Sequence, residues 1–222
     1  MTYTITKYAQ SCFLIQKDNM RCLIDPGRFV YELDAIKPTD WPKIGLILVT
    51  HEHLDHADIN GIRAIVSRDQ CLIITNGSLV SKLSSQGITA RMMKPGESTH
   101  AGGFHVHGVL QRHGTLSGGR PIPEDIGFII DSTFYTPGDS VVLEDMPEAP
   151  VLFVPVAGPD MNFTTAREMI RIVKPKLAIP MHYTNTKMYP IDENELRSFS
   201  VPGCNVVVLN DKASIAWPPK GT

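Results

Sequence analysis

The amino-acid sequence predicts a mixed α/β or α+β protein with two stacked sheets, and three observations carry that reading. Runs rich in Val, Ile and Leu recur between turn signals at residues 2–6, 12–16, 21–24, 44–49, 71–75, 103–111, 127–131, 151–154, 177–179, 206–209 and 214–216, as strands do. Several are followed by short amphipathic stretches, the alternation of a sheet covered by helices. Eleven strands also exceed one comfortable sheet, so a second is expected.

Taken in order, Thr2-Tyr3-Thr4-Ile5-Thr6 alternates polar and apolar like a strand, and Ile44-Gly45-Leu46-Ile47-Leu48-Val49 is an uninterrupted apolar one. In 103–111, His105 and His107 alternate with Phe104 and Val106, so the imidazoles share one face, expected at the surface, and the apolar residues take the other. His100 stands alone in Ser98-Thr99-His100-Ala101 and reads as a solvated loop residue. Three helices are predicted: 59–66 behind Asp58, 79–85 between Ser78 and Gly87, and 166–173, where Thr165 and Glu168 read as a capping box and Lys174-Pro175 ends the helix. Outside strand 151–154, the Pro- and Gly-rich stretch 137–159 reads as loop. No internal repeat or linker interrupts the chain, and residues 1–222 read as one domain.

At 222 residues the chain can bury roughly 70% of its unfolded surface without staples. Cys12, Cys22, Cys71 and Cys204 include no C-x-x-C pair, which excludes a zinc knuckle or redox motif. Reduced core thiols are expected, with a Cys12–Cys22 pair across a hairpin as the alternative. The N-terminus lacks the apolar stretch of a signal peptide, and no segment approaches the roughly 18 apolar residues of a membrane span. A cytoplasmic protein is expected. A net charge of -2 with acids and bases interspersed argues against a nucleic-acid partner held on a basic surface.

Behind the run ending at Val49 comes His51-Glu52-His53-Leu54-Asp55-His56. With 8 His and 14 Asp in the chain, this H-x-H-x-D-H arises by chance about 6 times in ten thousand such sequences. Three imidazoles and a carboxylate so close together point to metal ligation. A zincin helix is excluded, because the position four residues after His51 is Asp55 rather than a second His. Further ligands should come from strand ends, where loops share a rim. Candidates are His113 after the strand ending at Gln111, Asp139 in a Pro-Gly-Asp turn, His182 after Leu177-Ala178-Ile179-Pro180-Met181, and Asp25 in Asp25-Pro26-Gly27.

Thr50-His51-Glu52-His53-Leu54-Asp55-His56, Arg112-His113-Gly114, Pro137-Gly138-Asp139-Ser140 and Ile179-Pro180-Met181-His182-Tyr183 occur in the order of the metallo-β-lactamase superfamily, which the chain resembles from about residue 3 to 216. The segments Ser11-Cys12-Phe13-Leu14-Ile15 and Leu23-Ile24-Asp25-Pro26 look like the ascorbate 6-phosphate lactonase-like branch. That branch commonly has Gly-His before the Ser, where this chain has Ala9-Gln10. The resemblance implies a four-layer αββα sandwich and a metal-dependent hydrolase. Seven ligands are too many for one zinc, so two divalent ions are implied, zinc first, with manganese or iron as alternatives. By resemblance His51, His53 and His113 hold one ion, Asp55, His56 and His182 hold the other, and Asp139 bridges them. A shared hydroxide would be the nucleophile, with Asp55 and Asp139 as catalytic carboxylates. The substrate is expected to be a small polar, anionic molecule with a lactone, ester-like or phosphodiester bond. Arg112, Tyr183 and Lys187 are candidate substrate contacts, and Glu52 is not expected to act as a base. Thr164 and Thr165 open a helix whose N–H groups suit either phosphate or a cap. Two other readings stay open: an iron-dependent redox or oxygen-handling protein of this fold, and a non-catalytic metal-binding protein.

Overall fold

The computed structural model describes residues 1–33, 35–114, 123–158, 160–184 and 190–219. In chain order the strands are β1 (Tyr3–Lys7), β2 (Phe13–Lys17), β3 (Met20–Ile24), β4 (Leu46–Leu48), β5 (Leu72–Thr75), β6 (Arg91–Met92), β7 (Ser98–Ala101), β8 (Phe104–Leu110), β9 (Ile126–Ile130), β10 (Phe134–Thr136), β11 (Val151–Pro155), β12 (Leu177–Met181), β13 (Asn205–Val206) and β14 (Ser214–Trp217). The helices are α1 (Phe29–Glu32), α2 (Ile59–Asp69), α3 (Gly77–Ser85), α4 (Phe163–Val173) and α5 (Glu193–Ser198). Seven strands form one sheet in the order β14-β1-β2-β3-β4-β5-β6, and seven form the other in the order β13-β12-β11-β10-β9-β8-β7.

The apolar pattern decides the layering. β4, β11 and β12 pair in parallel with their neighbours and are buried along their whole length, which is why they read as unbroken apolar runs. Between the sheets, Phe13 stacks on Phe153 with ring centroids 4.1 Å apart, and Phe104, Phe128 and Phe134 fill the same layer. Each such ring contributes about 1.5–3 kcal/mol by leaving water. Ile62 and Ile65 of α2 with Leu79 and Leu83 of α3 cover the outer face of the first sheet. On the second, α4 packs Ala166, Met169, Ile170 and Val173 over Leu152, Val154 and Ala178. The layers run αββα, as expected.

At the end where β2 and β9 finish, Lys17 Nζ lies 2.6 Å from Asp131 Oδ2. Tyr3 Oη donates to the same oxygen at 3.0 Å, and Asp131 Oδ1 accepts from His105 N at 2.8 Å. This part-buried pair ties the sheets together away from the ligand motif.

Several local expectations need correction. β6, β7 and β10 were not predicted, being short or, in Ser98-Thr99-His100-Ala101, too polar to read as strand. His100 is thus a strand residue opposite His105. Helix α3 starts behind Asn76, whose side chain accepts from Leu79 N, instead of behind Ser78. Helix α4 starts three residues early because Asn162 provides the cap and pairs with Thr165 in the capping box; Glu168 accepts from Arg171 instead. The short α1 and α5 are below the length at which periodicity is readable. Cys12 and Cys22 are buried free thiols.

Candidate metal centre

β4 and β8, β10 and β12 of the two sheets deliver their carboxyl-terminal loops to one edge of the sandwich, the place where open α/β sheets build sites. His51 to His56 follow β4, His113 follows β8, Asp139 follows β10 and His182 follows β12. The loop after β3 closes on the motif: Arg28 N donates to Leu54 O at 2.6 Å, and Asp58 N to Pro26 O at 3.0 Å. Gly27 permits this approach, since a Cβ there would lie 1.8 Å from Asp55 O.

All seven predicted ligands come together, in two groups whose ligand atoms lie within 4.8 Å of one another: His51, His53, His113 and Asp139, and Asp55, His56 and His182. His51 Nε2 is 3.1 Å from His53 Nδ1, and His56 Nε2 is 3.3 Å from His182 Nε2. Asp55 Oδ2 is 3.1 Å from His182 Nε2. Asp139 reaches both groups, with Oδ2 3.6 Å from His113 Nε2 and Oδ1 3.1 Å from His56 Nε2.

The residues fit a metal. Two ligands at about 2.0–2.1 Å from one tetrahedral ion are about 3.3 Å apart, the spacing observed between these imidazoles. Buried His113 Nε2 has no hydrogen-bond partner among the described residues, although a buried polar atom ordinarily finds one. The donors are imidazole and carboxylate without thiolate, a set shared by zinc, iron and manganese.

A further layer orients the rings. Asp25 accepts from Thr50 N at 2.8 Å through Oδ1, and from Thr50 Oγ1 and His56 Nδ1, both at 2.9 Å, through Oδ2. His56 therefore keeps its proton on Nδ1 and turns Nε2 to the site. His113 Nδ1 donates to Gly114 O at 2.8 Å, with the same effect. Thr50 Oγ1 lies 3.1 Å from His51 Nδ1, and Ser11 Oγ lies 3.2 Å from His56 Nδ1. Asp125, buried, places Oδ1 3.7 Å from His51 Nδ1.

The electrostatics divide the groups. Burial, then the nearby charge on His56, holds His51 well below the ordinary imidazole range, and burial with His113 lowers His53. Burial opposes charge on His56 and His182 too, but the facing carboxylates of Asp139 and Asp25, and of Asp139 and Asp55, raise both. Despite burial, His182 and His56 hold Asp55 and Asp139 below the usual carboxylate range. Asp125 goes the other way: burial, then the charge of Asp139, pushes it up.

Of the remaining candidates, Arg112 is exposed beside His113. The Tyr183 hydroxyl donates to Leu209 O, and its ring lies under Lys7 Nζ. Lys187 lies outside the described residues. Glu52 faces Lys82, 3.4 Å away. The Thr164 and Thr165 N–H groups both donate to Asn162 Oδ1, so the cap uses the donors that a phosphate would need. Asp25 announced itself as a strand-end carboxylate, and Ser11 opens a segment that carries the branch resemblance; Asp125 carried no sequence signal, because only the fold brings it behind the histidines.

Comparison with known proteins agrees with this architecture. The beta-lactamase superfamily domain matches residues 4–182. A protein named metal-dependent hydrolase from Carboxydothermus hydrogenoformans is 30% identical, covering 93% of this chain and 96% of that protein. Igni18, a metallo hydrolase from Ignicoccus hospitalis, has a TM-score of 0.79 at 21% identity, with 99% of this chain and 100% of that chain covered. CmlA, a diiron beta-hydroxylase from Streptomyces venezuelae, has a TM-score of 0.70 at 15% identity, covering 96% of this chain and 54% of that one. These two structures share the fold. With a family domain spanning most of its length and the two-sheet sandwich in place, the chain belongs to the beta-lactamase superfamily and has the metallo-β-lactamase fold.

Proposed function

We propose that the protein is a cytoplasmic metal-dependent hydrolase with a dinuclear centre, zinc in the first instance, that cleaves a lactone, ester-like or phosphodiester bond of a small anionic metabolite. The supporting observation is Asp139, whose carboxylate lies 3.6 Å from His113 Nε2 in one group and 3.1 Å from His56 Nε2 in the other. His51, His53 and His113 would hold one ion, Asp55, His56 and His182 the other, and Asp139 would serve both. Divalent ions held there would supply Lewis acidity and lower the pKa of a water from about 15.7 to about 7.

The chain's own residues bind, orient and move protons. Asp25 and the Gly114 carbonyl hold His56 and His113 in the tautomers that leave Nε2 free for ligation. Asp55, 7% exposed, is the least buried acid of the site and is assigned the proton relay from the attacking water. Arg112, exposed beside His113, is assigned the substrate's anionic group. A charge so placed positions the reacting bond without taking part in breaking it.

Metal analysis of protein purified without added metal, followed by assays on lactones and phosphodiesters, tests the reading. About two ions per chain, turnover lost with a chelator and restored by metal, and a raised KM for anionic but not neutral substrates in Arg112→Ala are expected. At most one ion per chain, or no turnover of any member by fully loaded protein, refutes it.

A further inference from the structure

Gln10, at the tip of the β1–β2 hairpin, is buried and has φ +57°, a conformation that side chains rarely adopt. Its backbone and side chain both engage the loop after β12. Gln10 N donates to Thr184 Oγ1 at 3.1 Å, Gln10 O accepts from His182 N at 3.3 Å, and Gln10 Oε1 accepts from Thr184 N at 3.0 Å. His182 is itself left-handed, with φ +71°. Such a backbone persists where its surroundings over-determine it. Three bonds therefore clasp a hairpin of one sheet to a ligand loop of the other.

The clasp has a rigid backing. Lys7, with a fully buried side chain, donates from Nζ to Tyr8 O at 2.7 Å, Asp211 Oδ1 at 2.7 Å and Thr184 Oγ1 at 3.2 Å. All three ammonium donors are thereby matched, as a buried charge requires. Thr184 Oγ1 is thus fixed between Lys7 Nζ and Gln10 N.

We propose that Gln10 is a positioning residue for His182. The clasp holds the left-handed backbone of His182 so that Nε2 faces Asp55 Oδ2 at 3.1 Å and Asp139 Oδ2 at 3.4 Å, and the hairpin of the first sheet thereby sets metal affinity in a loop of the second. Glutamine suits the position because its amide oxygen reaches the Thr184 N–H. The inference rests on the dinuclear reading, with His182 in the second set.

The test is titration of the metal-free full-length protein with cobalt(II), followed by visible absorption and equilibrium dialysis. Gln10→Gly suits the left-handed backbone and removes Oε1, Thr184→Val removes the hydroxyl that accepts from Gln10 N and Lys7 Nζ, and Gln10→Glu keeps an acceptor oxygen. The Gly and Val variants should bind the first equivalent like wild type and the second about tenfold more weakly, while the Glu variant stays within about threefold of wild type. Wild-type affinity for the second equivalent in both the Gly and Val variants overturns the proposal, as does a Glu variant as weak as the Gly variant. Thr184→Val decides alone should Gln10→Gly not fold. A wild-type protein that binds only one equivalent refutes the dinuclear reading, and the clasp's role falls with it.

Discussion

Replacing Asp25 with Asn should weaken one metal and spare the other. Asp25 has φ +45°, a conformation Asn tolerates, and its two oxygens accept three bonds in wild type. Oδ1 must stay an acceptor because it faces Thr50 N at 2.8 Å. The amide nitrogen of Asn then takes the place of Oδ2 and points a donor at His56 Nδ1, 2.9 Å away. His56 must respond by accepting on Nδ1 and carrying its proton on Nε2, the atom that faces Asp139 at 3.1 Å. Binding a metal there requires restoring the original tautomer against the new hydrogen bond and without the charge-assisted one, which is worth about 1.5–3 kcal/mol. At about 1.4 kcal/mol per tenfold, and with outer-shell changes typically costing 10–100-fold in metal affinity, the second ion should bind about 10–100-fold more weakly. Competition with a chromophoric chelator resolves the two steps. A folded Asp25→Asn protein whose second step stays within about twofold of wild type would refute the tautomer argument.

The two groups should also differ in pH response. The facing carboxylates raise His56 and His182 above the ordinary imidazole range, so protons compete with metal for that set up to a higher pH; its affinity should fall by up to about a hundredfold per pH unit as pH drops below those values. Burial lowers His51 and His53, so protons compete less there and the other set should hold metal to lower pH; equal slopes for both ions in dialysis from about pH 6 to 8 contradict this. Lys17→Met should leave Asp131, with 10% side-chain exposure, its bonds from Tyr3 Oη and His105 N but no counter-charge, and cost up to about 3–5 kcal/mol. Urea unfolding should show that loss, with much of it recovered when Asp131→Asn is added. Gly27→Ala should push the Asp55 loop aside, because its Cβ would lie 1.8 Å from Asp55 O; metal analysis should find the Asp55-His56-His182 set impaired, and full occupancy would mean that the loops can separate without consequence.

Much of the site was legible in the chain because ligand chemistry is carried by residue type and local spacing. His51, His53, Asp55 and His56 sit within one short loop behind an unbroken apolar strand, His113 and His182 each follow a recognisable strand end, and Asp139 sits in a Pro-Gly-Asp turn. The strands on either side of the core were legible for the same reason: burial writes an apolar pattern directly into a strand. Short polar β7 escaped, since its pairing with β8 comes from a Gly102-Gly103 turn and backbone bonds rather than from an apolar stripe. The start of α4 was misplaced because Asn162 and Thr165 were both competent caps, and only the folded backbone chose between them.

By itself, then, the sequence determined the residue types of a metal centre, the strands that carry them and the two-sheet class, all of which depend on neighbours close along the chain. The tertiary structure alone decided that Asp25 turns His56, that Asp125 lies behind His51, and that Gln10 grips the loop of His182 some 170 residues away. The physical reason is that a hydrogen bond reads distance in space. Which side chains meet across two sheets is set by register and layer packing, and no local pattern records either.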